Sequence, residues 1–177
     1  PSTPSNVPFQ FEMAMGDIAK GFAAADLVIE RTYSVPMCHQ AYIEPHACVA
    51  KTDENGKVEI WCCTQGAFMV RTQTAAVTGI AVSKIKVTAS EIGGGFGGKT
   101  TVYIEPVATV LARKSGRPVK IVMSREDVFR ATGPVPGAET RVKMGATKDG
   151  KITAIEIDML MDTGAFSTHQ ILAAVLF

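Results

Sequence analysis

The stretch Glu91–Thr100 reads EIGGGFGGKT. Residues 93–100 fit G-x-x-x-x-G-K-[ST], the phosphate-cradling P-loop, and Gly93, Gly95 and Gly98 alone fit the dinucleotide fingerprint G-x-G-x-x-G. Choosing between these two readings, or rejecting both, decides the fold. A P-loop nucleotide-binding domain also needs an apolar strand ending in a magnesium-holding Asp, within a sheet of further βαβ units. The nearest candidate, Ala154–Asp158, is interrupted by Glu156, and only one clear helix follows the loop. The dinucleotide reading needs an acidic residue about 20 positions on, at a strand end. Glu126 and Asp127 lie too far along and follow Arg125. Five glycines in six positions fit almost any glycine pattern by chance. As a bare turn they would be costly, because each glycine adds unfolded-state entropy. Such a run does supply backbone that approaches a ligand closely and aims several N–H groups at one anionic or oxo atom. We therefore read residues 93–100 as a binding loop.

Composition narrows the partners. The 177 residues are 46% hydrophobic and 20% charged, with 18 basic against 17 acidic residues and a net charge of +1. This is ordinary globular material, with no field that would recruit nucleic acid or an anionic membrane. The longest apolar stretch near the end, residues 171–177, is too short to span a bilayer. The four cysteines, Cys38, Cys48, Cys62 and Cys63, lack C-x-x-C spacing. They read as small buried thiols in a reducing, cytoplasmic setting. The sequence begins at Pro1 and stops inside an apolar run, and is read as a piece of a longer protein.

Along the chain, residues 1–15 read as an extended, proline-bearing lead-in, and Asp17 caps a short helix. LVIERTYSV and residues 41–51 read as strands, and Asp53–Gly56 is turn chemistry leading into a strand over 57–63. Helical spacing runs from Gly66 to a stop near Gly79. A strand over 84–89 enters the glycine loop, and a helix over 102–114 leaves it, with Pro106 in its first turn. Residues 118–124 form a strand whose end, Arg125–Asp127, reads as solvated or salt-bridged. Residues 132–137 form a loop, and 141–161 two strands around Lys148–Gly150. The fold class is α+β, a mixed sheet with a few helices.

Several ordered stretches together resemble the large molybdopterin-binding subunit of the molybdenum hydroxylases, the xanthine dehydrogenase and aldehyde oxidase family. They are GGGFGGK at Gly93–Lys99, HQAYIEPHACVA at His39–Ala50 and CTQGAFMVRTQTAAVTGI at Cys63–Ile80. GDIAKGFAAADLVIERTY near the start, GRPVKIVMSREDVF at Gly116–Phe129 and DTGAFS at residues 162–167 match as well. The resemblance implies that residues 16–177 form part of a molybdopterin-binding domain. It implies a cofactor-facing loop at Gly95, Phe96 and Gly97, with the Phe96 and Gly97 N–H groups toward an oxo ligand and the Gln65 amide beside the molybdenum. Neutral donors of this kind hold an oxo group without coordinating the metal, and no residue of this chain is implied as a direct ligand. Taken alone, Gln65 reads as a helix N-terminal residue bonding its own backbone.

Similar enzymes hydroxylate a carbon next to nitrogen or a carbonyl with water as oxygen source. Electrons pass through the pterin, in bacteria commonly its cytosine dinucleotide form, to 2Fe-2S centres and usually FAD on partner domains or subunits. In the family the catalytic base and a substrate-binding arginine lie downstream, so no catalytic residue is expected in this chain, which would be inactive alone. Purine-oxidising members carry a glutamate directly after GGGFGGK. Here Thr100 stands there, facing substrate with Phe96, so aldehydes or N-heteroaromatics are expected over xanthine. Glu44 is expected in a strand as a paired, buried carboxylate, and His39, His46 and His169 as structural or exposed. A non-catalytic scaffold or assembly subunit of the same architecture remains an alternative, and a P-loop protein a remote one.

Overall fold

The computed structural model describes residues 6, 7 and 9–164. In chain order the elements are α1 (Ile18–Ala23), β1 (Leu27–Val35), β2 (Ala47–Thr52), β3 (Val58–Cys62) and α2 (Ala67–Thr78). A single 3-10 turn (Val82–Lys84) follows, then β4 (Ile85–Ala89), α3 (Glu105–Ser115), β5 (Val119–Val122), α4 (Arg125–Ala131), β6 (Gly137–Ala146) and β7 (Ile152–Asp162). This is the expected α+β class. The elements fall into two compact units, one built from residues 1–38 and 136–177 and the other from His39–Val135.

In the first unit β1, β6 and β7 form an antiparallel sheet in that order. Asp17 caps α1 as its sequence suggests, its carboxylate accepting the Lys20 N–H at 2.9 Å. On β6, Arg141 reaches Glu30 of β1 at 2.8 Å and Asp158 of β7 at 3.0 Å, linking all three strands. These groups are solvated and screened, so the pairs add little to stability.

The second unit carries the glycine loop. Its sheet runs β4-β3-β2-β5, with β3 and β4 parallel and the other pairs antiparallel. The parallel pair needs a crossover, and α2 supplies it. The core comprises Ala50 and Ile60 from the strands, Val70 from α2, Ala108 and Ala112 from α3, and Val128 from α4, all fully buried. Small residues on α3 let its backbone approach the sheet closely. Both long helices end on left-handed glycines, Gly79 at φ 70° and Gly116 at φ 65°, and Pro106 sits in the first turn of α3. Cys48 and Cys62 face one another across the β2–β3 ladder as free thiols. Burial pushes each up to about 12, so both stay neutral and unreactive.

Three expectations are corrected here. Cys38 is exposed, whereas the other three cysteines are buried as expected. Residues 41–46 are not strand, because β2 begins only at Ala47. Tyr42, Glu44 and His46 do turn inward at every second position, which is the period of a strand. However, Ala41 sits at φ 51° and Pro45 has no N–H. The Glu44 N–H goes to Gly93 O at 3.2 Å rather than into a ladder. Arg125–Asp127 are not a strand end but the first turn of α4. Ser124 Oγ accepts the Asp127 N–H at 3.1 Å, and the Asp127 carboxylate accepts the Ser124 N–H at 2.9 Å, completing a capping box. His169 and the second half of the DTGAFS stretch, residues 165–167, lie outside the described residues.

Candidate functional site

β4 ends at Ala89, and the chain then enters the glycine loop. Gly98 N–H donates to Gly95 O at 2.7 Å, closing a tight turn, and Thr100 Oγ1 donates to Gly97 O at 3.0 Å. The segment before α2 forms the opposite wall. Thr64 Oγ1 and Gln65 N–H both donate to Lys99 O, at 3.0 and 2.9 Å. Gln65 Oε1 accepts the Gly97 N–H at 3.0 Å and the Lys99 N–H at 3.3 Å. Both partners are donors, so the carbonyl side of the Gln65 amide faces the loop and its NH2 group faces away. Gln65 thus bonds the glycine loop, not its own helix, and the Gly97 N–H, expected toward an oxo ligand, is bonded to Gln65 instead.

Close approach requires glycine at positions 95 and 98, among others in the loop. A Cβ on Gly95 would collide with the Gln65 amide. One on Gly98 would lie 2.7 Å from Cε1 of the buried Tyr42 ring. Between them Phe96 adopts φ 48°, a backbone region unusual for a side-chain-bearing residue. Its ring is 71% exposed, which excludes a core role. Neither the Phe96 N–H nor Gln65 Nε2 has a hydrogen-bond partner among the described residues.

Lys99 decides against the P-loop. Its side chain is fully buried, with Nζ 2.7 Å from Glu44 Oε2 and 4.9 Å from the centroid of the Tyr42 ring. It is unavailable to a phosphate. The loop also fails to open directly into a helix, since α3 starts only at Glu105, and the sheet is mainly antiparallel. Glu44 is paired as expected, although it is half-buried rather than buried. Burial alone would raise its carboxyl, but the bonds from Lys99 and the Gly93 N–H outweigh this and hold it below the usual carboxylate range.

Behind the loop lies a polar layer that the sequence did not disclose. Tyr42 OH and His46 Nε2 are 2.6 Å apart, and Tyr42 OH also reaches Thr132 Oγ1 at 3.4 Å. His39 Nδ1 accepts the Ala41 N–H at 2.9 Å, so in the neutral ring the proton sits on Nε2, 2.8 Å from Thr132 Oγ1. Burial, with the nearby Lys99 charge, lowers the His46 pKa to about 4. A neutral imidazole is therefore the resident form beside the ammonium. At the start of α3, Glu105 is buried and accepts the Tyr103 N–H at 3.0 Å. Burial raises its carboxyl above the ordinary value.

The site offers neutral N–H donors beside the exposed Phe96 ring. Among the described residues no group of three His, Cys, Asp or Glu side chains could hold a metal ion. These groups fit a ligand that brings its own metal and accepts hydrogen bonds from outside the coordination sphere. Residues 1–176 match the model of the molybdopterin cofactor-binding domain.

The chain belongs to the molybdopterin cofactor-binding domain family.

Over 166 residues the chain is 35% identical to a protein of Escherichia coli K12 named as a probable hypoxanthine oxidase, covering 94% of this chain and 17% of that protein. It is 37% identical over 153 residues to a protein of Bacillus subtilis named as part of a probable xanthine dehydrogenase, covering 86% of this chain and 20% of the relative. Among solved structures, the aldehyde oxidoreductase of Desulfovibrio gigas superposes with a TM-score of 0.69 at 29% identity, over 82% of this chain and 16% of that one. The molybdopterin-binding chain thus spans about a fifth or less of the length of these relatives. No helix among the described residues is long and apolar enough to cross a membrane.

Proposed function

We propose that residues 16–177 form part of the molybdopterin-binding domain of a molybdenum hydroxylase, and that the loop at Gly95, Phe96 and Gly97 faces the cofactor with Gln65. The observation that carries this reading is the pairing of Gln65 with the loop. Its oxygen is spent on Gly97 and Lys99, which turns its NH2 group outward, and the Phe96 N–H has no hydrogen-bond partner among the described residues. When bound, molybdopterin supplies molybdenum for two-electron oxidation with water as the oxygen source. The chain's own part is to bind and orient. Gln65 and Phe96 N–H donate to an acceptor atom of the ligand, and the close fit of Gly95 lets backbone approach it. The exposed Phe96 ring offers an apolar face to a flat substrate. No residue of this chain is proposed as the catalytic base. We place the cofactor in its cytosine dinucleotide form, 2Fe-2S and FAD on partner domains or subunits, and the enzyme in the cytoplasm.

The substrate class follows from Thr100. Its hydroxyl is committed to Gly97 O, and it is neutral where purine-oxidising family members carry a carboxylate. A hydroxyl cannot stabilise a polarised purine as a carboxylate does, so an aldehyde or a non-purine N-heteroaromatic is the proposed substrate. Purine oxidation is the second reading, favoured by the names of the E. coli and B. subtilis relatives. Comparing kcat/KM for xanthine and hypoxanthine with a panel of aldehydes and pyridines on the intact enzyme separates the two. Values for the purines equal to or above the rest would overturn the first reading.

A further inference from the structure

Lys99 completes the P-loop pattern, yet phosphate binding does not use it and the proposed cofactor contacts do not include it. Its ammonium lies 2.7 Å from Glu44 Oε2, with the side chain fully buried. The same carboxylate oxygen accepts the Gly93 N–H at 2.8 Å, and the Glu44 N–H returns to Gly93 O at 3.2 Å. One oxygen atom thus joins the first and last residues of Gly93–Lys99. Five of the six residues from Gly93 to Gly98 are glycine, so the unrestrained loop has many conformations to lose. With Lys99 buried and Glu44 half-buried, such a pair often gives little or no net stability over apolar residues of similar volume, so stability alone does not account for it. What the pair does supply is a fixed distance between the loop ends.

We propose that Glu44 and Lys99 are positioning residues that clamp the two ends of the glycine loop, fixing the turn that presents the Phe96 N–H and the Gln65 NH2 to the bound ligand. The ligand part of this inference rests on the proposed function. The clamp itself concerns only the chain's own backbone. Four loop amides report on it: Gly93 bonded to Glu44, Gly97 and Lys99 bonded to Gln65, and Gly98 bonded to Gly95.

The test compares the intact, cofactor-loaded protein with its Glu44→Gln/Lys99→Met and Glu44→Asp variants. The double variant removes both charges together, so no buried ion is left unpaired. Glu44→Asp keeps the charge but is one methylene too short to hold Gly93 and Lys99 at once. Hydrogen exchange of the peptide covering 91–100 and the Mo(V) electron paramagnetic resonance spectrum are read alongside the unfolding midpoint. The clamp predicts a double variant as stable as the parent, with loop amides exchanging about tenfold faster or more and an altered spectrum. Exchange and spectrum identical to the parent would overturn it, leaving the pair as mere neutralisation of a buried lysine. Should the double variant fail to fold, unchanged loop exchange in Glu44→Asp overturns it equally. A parent protein lacking molybdenum would defeat the proposed function, while the exchange measurement, which needs no metal, would still decide the clamp.

Discussion

The side-chain oxygen of Gln65 accepts the Gly97 N–H at 3.0 Å. With the second bond from the Lys99 N–H it fixes which end of the amide faces the loop and which faces outward. Gln65→Glu tests the outward end. A carboxylate keeps both acceptor contacts but loses the NH2 donor, so the fold should survive with a change in unfolding free energy within about 1 kcal/mol. The kcat/KM of the intact enzyme should fall about ten- to hundredfold, as for other partners just outside a metal's ligands. Unchanged kcat/KM would remove Gln65 from the site.

Gly98 and Gly97 make a matched pair of substitutions. A Cβ at Gly98 meets the Tyr42 ring at 2.7 Å, while one at Gly97 meets open space but at φ 83°. Gly98→Ala should destabilise by about 1–3 kcal/mol through overpacking. Gly97→Ala should cost about 1–2 kcal/mol, through backbone conformation alone. Chemical denaturation measures both, and crystallography of Gly98→Ala should show the Tyr42 ring displaced.

His46 should make the protein acid-sensitive. Its pKa in the fold, about 4, lies below the ordinary 6.5 because burial and then the Lys99 charge oppose protonation. The unfolded chain therefore binds the proton first, and stability falls as pH drops from 6.5 toward 4. The gap between 6.5 and about 4 corresponds to about 3 kcal/mol at its full extent. His39, lowered by burial and Arg125, adds in the same direction. Subtracting the stability curve of His46→Gln from that of the parent isolates the His46 share. A flat difference between pH 6.5 and 4 would contradict the assignment.

Glu105 behaves in the opposite sense. Burial raises its pKa above 4.5, only partly offset by the Tyr103 N–H, so the folded state holds the proton longer than the unfolded one. Stability present at low pH is lost as pH rises through 4.5 and on to the folded value. Glu105→Gln retains an acceptor for Tyr103 without a charge. It should match the parent below pH 4.5 and exceed it in stability at pH 7, as unfolding titrations at the two pH values would show. Equal stability at both would mean that the carboxylate is not penalised.

Much of this was legible in the sequence where local chemistry decides. Gly79 and Gly116 end their helices as left-handed residues, Asp17 caps α1, and Asp53–Gly56 turns β2 into β3. Residues 41–46 misread because Tyr42, Glu44 and His46 have the period of a strand, whereas their backbone serves the glycine loop. The capping box of Ser124 and Asp127 is present in the sequence, but the adjoining apolar run of β5 dominates the local pattern. The fate of Lys99 was not local at all. Its partner Glu44 lies 55 positions away, and only the tertiary fold brings the pair together and denies the lysine to phosphate.

Gln65 and Gly95–Gly97 are proposed to face a molybdenum cofactor. The molybdenum content of the full-length native protein, purified with whatever accompanies it and measured by elemental mass spectrometry, tests this most directly. About one molybdenum per chain, with pterin released on denaturation, is the predicted result. Absence of both, from cells that fill other molybdoenzymes, would contradict the account and favour a non-catalytic scaffold with the same loop.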